Sequence, residues 1–290
     1  MARGEGLVLT DRDIDLLKYL AFGPAFADDL HARFFVGNGR LVSRQAYERR
    51  MWKLIEAYCI ERIEPQRIRG RRSILHKPVY SLAEGGIEVL TSQGVLQIDR
   101  IRRVRPNRQT LFHEIILTRL IRRIYEGDPR RYEVIRLFDH DMLAKQVQRV
   151  RIKRIPDLRF TLKFRHGAYF SYLVEIDAGT THTPEFVQKL VAFMQLSRRL
   201  GPVNSKDPVG ILIVCHTSDR METLQRAVME SHITVKVANR FLFNTIQMID
   251  NSLGLYNPWY KADGTKIDLI FKDNSRATEP QQMLKGRTSS

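Results

Sequence analysis

The 290-residue chain carries 48 Lys and Arg against 32 Asp and Glu, for a formal net charge of +16 and a sequence pI of about 10.1. With 43% hydrophobic residues it has material for a sizeable core in one large or two modest domains. No run of about 18 apolar residues occurs to span a membrane, the first six residues lack the apolar stretch of a secretion signal, and Cys59 and Cys215 are single and far apart. That cysteine usage fits a reducing cytoplasm and excludes a disulfide framework or a multi-cysteine zinc site. So basic a chain attracts a polyanion, with DNA or RNA the usual one. A ribosomal-type basic protein, or attraction to an anionic membrane surface, is the plainer alternative.

Thr10 opens a first helix as its N-cap, with Asp11 and Asp13 in the first turn and Gly23-Pro24 as its end. A short helix from Ala25 to Phe35 follows, broken by Gly37-Asn38-Gly39. Ser43 caps a third helix reaching about Tyr58, with Ala46, Tyr47, Trp52, Leu54 and Ile55 expected on its buried side. Two extended segments come next, Cys59 to Ile63 and Ile74 to Leu82, joined by a connection rich in arginine. Three helices followed by a basic hairpin is the order of a winged helix-turn-helix, in which the third helix enters the major groove and the wing rides on phosphates. Arg44, Gln45 and Arg49 are the expected contacts from the helix, and Arg67, Arg69, Arg71 and Arg72 from the wing. An amphipathic helix with a solvated basic face and a charged loop is the competing account. This first domain is expected over residues 1–99, with the basic run Arg100 to Arg108 as the connection that follows, lying along the DNA backbone or simply solvated.

The second domain, expected over 100–272, reads as a helix to about Glu126, a strand at Tyr132 to Phe138, and a hairpin from Ile155 to Phe164 and Ala168 to Ile176 about a His166-Gly167 turn. A helix from Pro184 to Leu200 follows, with Thr183 as N-cap. Val209 to Cys215 is nearly all apolar, as in a strand buried on both faces. Asp219 to Glu230 returns as a helix, and Arg240 to Thr245 is a last strand. The order predicts an α/β (α+β) layer arrangement in which an antiparallel hairpin feeds a parallel crossover. The polar tail, 273–290, is expected to be disordered.

Within this frame the acids stand out. From Lys145 to Arg165 there are eight Lys or Arg, and Asp157 is the only acid. Glu175 and Asp177 follow a hairpin's length later and alternate onto one face of their strand. Asp157 sits at the start of the partner strand, where hairpin pairing and a local twist are expected to bring its carboxylate beside Glu175. Two or three carboxylates and a few waters suit Mg²⁺, with Mn²⁺ as a substitute, and such a site activates water against a phosphodiester. Glu114, on the helix opening the domain, is a further candidate ligand. Lys189, on the helix after the acids, is placed to balance charge developing on the scissile phosphate. The structural alternatives are a turn acid at Asp157, salt bridges from Glu175 and Asp177 to Arg159 or Arg165, and a solvated Lys189.

Pro156-Asp157 followed by Glu175-Ile176-Asp177 resembles the PD-(D/E)xK nuclease pattern, whose third motif residue is usually lysine where this chain has Asp177. That resemblance implies a restriction-endonuclease-like mixed sheet flanked by helices, with the lysine supplied from the following helix by Lys189. His113-Glu114, the stretch Leu173 to Thr180, Lys189-Leu190 and Pro258-Trp259 resemble the replication-relaxation family of plasmid and mobile-element proteins, over most of residues 7–260. The implied activity is DNA binding with Mg²⁺-dependent endonuclease-like chemistry in replication, transfer or maintenance. A non-catalytic DNA-binding regulator with a degenerate nuclease fold is the other function the resemblance allows. The implied partner is double-stranded DNA, with a homodimer if the recognised site is palindromic. No Walker-type loop, Gly-x-Ser-x-Gly elbow or His-hydrophobic-His run occurs, so no nucleotide cofactor is expected.

Overall fold

In the computed structural model helix α1 (Asp11–Leu20) begins at a capping box. The Thr10 hydroxyl accepts from the Asp13 amide, and the Thr10 amide donates back to the Asp13 carboxylate at 2.7 Å. The residues described are 7–37, 39–63, 78–95, 110–127, 129–148, 154–179, 181–200, 209–250 and 254–270. They fall into two compact units, Met1–Arg122 and Arg123–Ser290.

In the first unit, β1 (Ala25–Phe26) precedes α2 (Ala27–Phe34), so the expected helix loses its first two residues to strand pairing. A small hairpin, β2 (Val36–Gly37) and β3 (Arg40–Leu41), leads to α3 (Arg44–Glu56), capped by Ser43. Tyr47, Met51 and Leu54 make the buried stripe of α3 at helical spacing. Ala46 and Trp52, expected inside, are exposed, and Trp52 retains 57% of its surface. At 100° per residue Trp52 falls outside the stripe that Met51 and Leu54 fix.

β4 (Ile60–Ile63) and β5 (Val79–Leu82) complete an antiparallel sheet of order β1-β5-β4. Then comes α4 (Glu84–Ser92), which the sequence reading omitted because Gly85-Gly86 reads as a break. Those glycines let the helix lie against the chain leaving α3. A Cβ on Gly85 would stand 2.8 Å from the Tyr58 carbonyl oxygen, and one on Gly86 would overlap the Cys59 carbonyl.

Helix α5 (Leu111–Tyr125), expected to open the second domain, packs Leu111 and Ile115 against Val79 of the first unit. Arg119 pairs with Asp29 at 2.8 Å. Arg122, buried, donates to the Tyr19 and Gly23 carbonyls that end α1 and lies 3.4 Å from the Tyr19 ring centroid. The two compact units divide inside this helix, at Arg122/Arg123. The basic run 100–108 and the tail 273–290 lie outside the described residues.

The second unit is mixed α/β, as its element order predicts. β6 (Tyr132–Asp139), β7 (Leu158–Phe164) and β8 (Tyr169–Asp177) run antiparallel. Between β6 and β7 lies an unexpected helix, α6 (His140–Val147), capped by Asp139. After β8 come α7 (Thr183–Leu200), β9 (Gly210–Cys215), α8 (Ser218–Glu230) and β10 (Phe241–Thr245), with β8, β9 and β10 parallel. Thr183 is the first residue of α7 and not its cap. A short α9 (Ile246–Asp250) and two strands absent from the sequence reading, β11 (Trp259–Lys261) and β12 (Lys266–Ile267), extend the antiparallel edge. The seven strands order as β12-β11-β10-β9-β8-β7-β6. One core cluster joins Leu173, Ile211, Ile213, Phe241 and Phe243 to Phe186, Leu190 and Phe193 of α7 and Leu224 and Val228 of α8. These strand residues share one parity, so α7 and α8 cover the face of the sheet to which Glu175 and Asp177 also belong.

Candidate functional site

The acids sit where β7 and β8 begin and end. β7 and β8 pair Leu158 with Val174, which sets Asp157 across from Glu175 on the neighbouring strand. The Asp157 amide donates to the Val174 carbonyl at 3.0 Å, and the Ile176 amide donates to the Asp157 carboxylate at 2.7 Å. One carboxylate oxygen thus takes over the ladder where β7 has not yet begun, a local reason for Pro156-Asp157 at this point. Asp157 is 9% exposed, Glu175 3% and Asp177 2%, so all three carboxylates are largely removed from water.

Burying an ionised carboxylate demands a partner. The Lys189 ammonium of α7, two turns into the helix, donates to Glu175 Oε1. Asp177, next along the same face, is gripped from α8 instead. Arg220 Nε donates to Oδ2 at 2.7 Å and Nη2 to Oδ1 at 3.2 Å, the bidentate fork that suits a carboxylate. Arg220 also donates to the Thr181 carbonyl at 2.6 Å, tying the β8–α7 connection to the same cation. Its hydrogen bonds to Asp177 hold the guanidinium above its ordinary pKa. Burial pushes the neighbouring Cys215 thiol well up, so it stays a protonated, unreactive residue beside the acids.

Glu175 and Asp177 point to one face, as strand alternation requires, but they serve different cations. Glu175 pairs with Lys189 and Asp177 with Arg220, where the sequence alternative offered Arg159 or Arg165. Arg220, 43 residues beyond Asp177, gave no local signal. Arg159 is itself buried on β7, and burial, with Arg136 nearby, lowers its pKa. Glu114 is on α5 in the first unit, its carboxylate 3.6 Å from His113 Nδ1. Among the described residues no group of three or more His, Cys, Asp or Glu side chains is assembled to hold a metal.

In the first unit, α3 presents Arg44, Gln45 and Arg49 at the surface. Arg44 already pairs with Asp28 and Glu48, each at 2.9 Å. Exposed pairs of this kind contribute about 0–1 kcal/mol and exchange readily for another anion. Arg50, unremarked in the sequence, reaches the other way, to the fully buried Asp13, through Nε at 3.0 Å and through Nη2. Burial opposes ionisation of Asp13, but the hydrogen bonds from Arg50 and Thr10 prevail and hold its carboxyl below the usual range. The wing arginines Arg67, Arg69, Arg71 and Arg72 lie outside the described residues. No helix among the described residues is long and apolar enough to cross a membrane.

No curated protein and no solved structure matches the chain. The family model described as replication-relaxation matches residues 27–208, more than half of the sequence, and the match takes in Asp157, Glu175 and Lys189. The chain belongs to the replication-relaxation family.

Proposed function

We propose that this protein serves the replication or transfer of a plasmid or other mobile element, binding duplex DNA with its first unit and acting on phosphodiester bonds with its second. The observation that carries the catalytic part is the pairing of half-buried Lys189 with buried Glu175, which stands beside Asp157 on the adjoining strand of a mixed sheet. A carboxylate pair with a lysine brought from the following helix is the set that the nuclease resemblance implies, with Lys189 standing in for a lysine at position 177. Support for a winged helix-turn-helix in the first unit comes from the order α1, β1, α2, β2, β3, α3, β4, β5, in which a small hairpin joins α2 to α3, and from the antiparallel sheet β1-β5-β4. The +16 net charge fits a polyanionic partner.

The donor set fits Mg²⁺, which commonly takes one or two protein carboxylates together with substrate phosphate oxygens and water. Asp157 and Glu175 would hold it, and it would supply Lewis-acid polarisation of the phosphate and a lowered pKa for attacking water. The chain's own residues do the rest. Asp157, fixed by the Ile176 amide, keeps its carboxylate beside Glu175. Lys189 pairs with the Glu175 carboxylate and would offer a positive charge to the phosphate oxygens as the bond to the leaving oxygen breaks. Asp177 and Arg220 hold the end of β8 and the start of α7, and thereby the helix that carries Lys189.

A specific observation favours a second reading, a non-catalytic DNA-binding regulator that keeps the fold. With Asp177 committed to Arg220, the described acids at the site reduce to Asp157 and Glu175. Supercoiled plasmid incubated with Mg²⁺ or Mn²⁺ separates the two. Nicking or linearisation that disappears in Asp157→Ala and Glu175→Ala, while DNA binding persists, is the expected result. Cleavage surviving both substitutions rejects the site, and metal-dependent inactivity of a DNA-binding parent protein selects the regulator.

A further inference from the structure

Resting on the DNA-binding reading of the first unit, we infer that Trp52 is a DNA contact of α3, its indole lying against the sugar–phosphate wall of the groove and its N–H donating to a phosphate oxygen. Trp52 is one of two tryptophans and keeps 57% of its surface, whereas Trp259 is fully buried. Tryptophan is highly buried on average, so one left this open offers a large amphipathic surface with a polar N–H to an external partner. Its neighbours indicate which. Gln45, Arg49, Trp52 and Lys53 are exposed on α3, and positions 45, 49 and 52 follow the four- and three-residue steps of a single helix face. Among the described residues no ion pair or side-chain hydrogen bond engages the Arg49 or Lys53 side chain, while the inward-facing Arg50 is consumed by Asp13. Glu48 and Glu56 flank the ring on the same face, but Glu48 is taken up by Arg44 and Glu56 by the indole itself, which leaves Arg49 and Lys53 beside an amphipathic ring as the groups suited to a phosphate backbone and its sugars.

The indole N–H already makes a rehearsal of the contact. It donates to the Glu56 carboxylate at 2.8 Å, one helical turn on. As DNA approaches, Glu56 is repelled by the same phosphates that attract Arg49 and Lys53, so the N–H exchanges one anionic oxygen for another at little cost. The contact is with backbone, and its loss is felt equally on all sequences. Removing the carboxylate that competes for the N–H, by Glu56→Gln, strengthens binding.

The two-tryptophan arrangement gives the test. The full-length protein is titrated with a mixed-sequence duplex, and binding is followed by anisotropy of a label on the DNA. Acrylamide quenching of tryptophan emission is measured in parallel. We expect acrylamide to reach one tryptophan of the two in the free protein and neither in the complex. Trp52→Phe should lose the DNA-sensitive quenching and bind about ten-fold more weakly, the order of one charge-assisted hydrogen bond, on every duplex tried. Glu56→Gln should bind more tightly. DNA binding by anisotropy with Trp52 still open to acrylamide overturns the inference while leaving DNA binding intact. So does shielding of Trp52 that grows with protein concentration in the absence of DNA, which marks a face between copies of this chain. Absence of any duplex binding overturns the inference together with the DNA-binding reading of the first unit.

Discussion

Arg220→Ala removes a cation from a carboxylate that has no other charged neighbour of opposite sign in the described contacts, and its effect can be worked from the geometry. Asp177 retains 1% of its side-chain surface and accepts two hydrogen bonds from Arg220. Leaving one member of a buried pair behind costs about 3–5 kcal/mol, and the lower end applies because the Arg220 side chain, 17% exposed, vacates a space that water can enter. At a urea dependence of ~2 kcal/mol per molar, a loss of ~3 kcal/mol lowers the midpoint by ~1.5 M. The assay uses a Trp52→Phe background, so that emission comes from Trp259 alone and reports the second unit. Arg220→Lys recovers only part of the loss, since an ammonium cannot reproduce the fork. The double variant Asp177→Leu with Arg220→Met recovers most of it, because no buried charge remains. A midpoint for Arg220→Ala within ~0.3 M of the parent refutes the reasoning and returns Asp177 to the pool of available ligands.

Two further outcomes follow from the first unit. Gly86→Ala drives a Cβ into the Cys59 carbonyl and should destabilise by ~2 kcal/mol or more, read as a melting temperature lower by several degrees; an unchanged melt shows that α4 can move away from β4. The Asp13 carboxyl is held below its ordinary pKa, so its contribution is complete above the unfolded value near pH 4 and is lost as pH falls through the folded one. Amide protection in α1 and α3 should therefore decline below about pH 4 in the parent and change far less over that window in Asp13→Asn. Equal acid sensitivity in both removes Asp13 from the account.

Much of the frame was legible because its signals are local. Thr10 and Ser43 cap helices that begin where they predict, and Gly167, at φ +87°, makes the turn between β7 and β8. The apolar run to Cys215 is a central strand buried along its length. Strand alternation put the acidic pair of β8 on one face, and the hairpin order put Asp157 at the start of the partner strand. What escaped depends on distant contacts. Gly85-Gly86 reads as a break until the carbonyls of Tyr58 and Cys59 are seen against it. Trp52 looks like core material until Met51 and Leu54 fix the buried stripe. The partner of Asp177 sits one strand and two helices further along, and no spacing rule reaches that far. Helix α5 looked like the opening of the second domain, yet Leu111 and Ile115 had their apolar partner in Val79 of the first.

The two carboxylates on β8 also set a timetable for synthesis. Strand β8 leaves the ribosome before the helices that neutralise it, since Lys189 follows Glu175 and Arg220 follows Asp177 in the chain. Until Arg220 has emerged, closing the apolar face of the sheet over Asp177 would strand a charge, so hydration keeps that end of the strand open. A nascent chain that stops before Ser218 should therefore leave Asp177 hydrated and the centre of the second unit open, and one that includes α8 should close it.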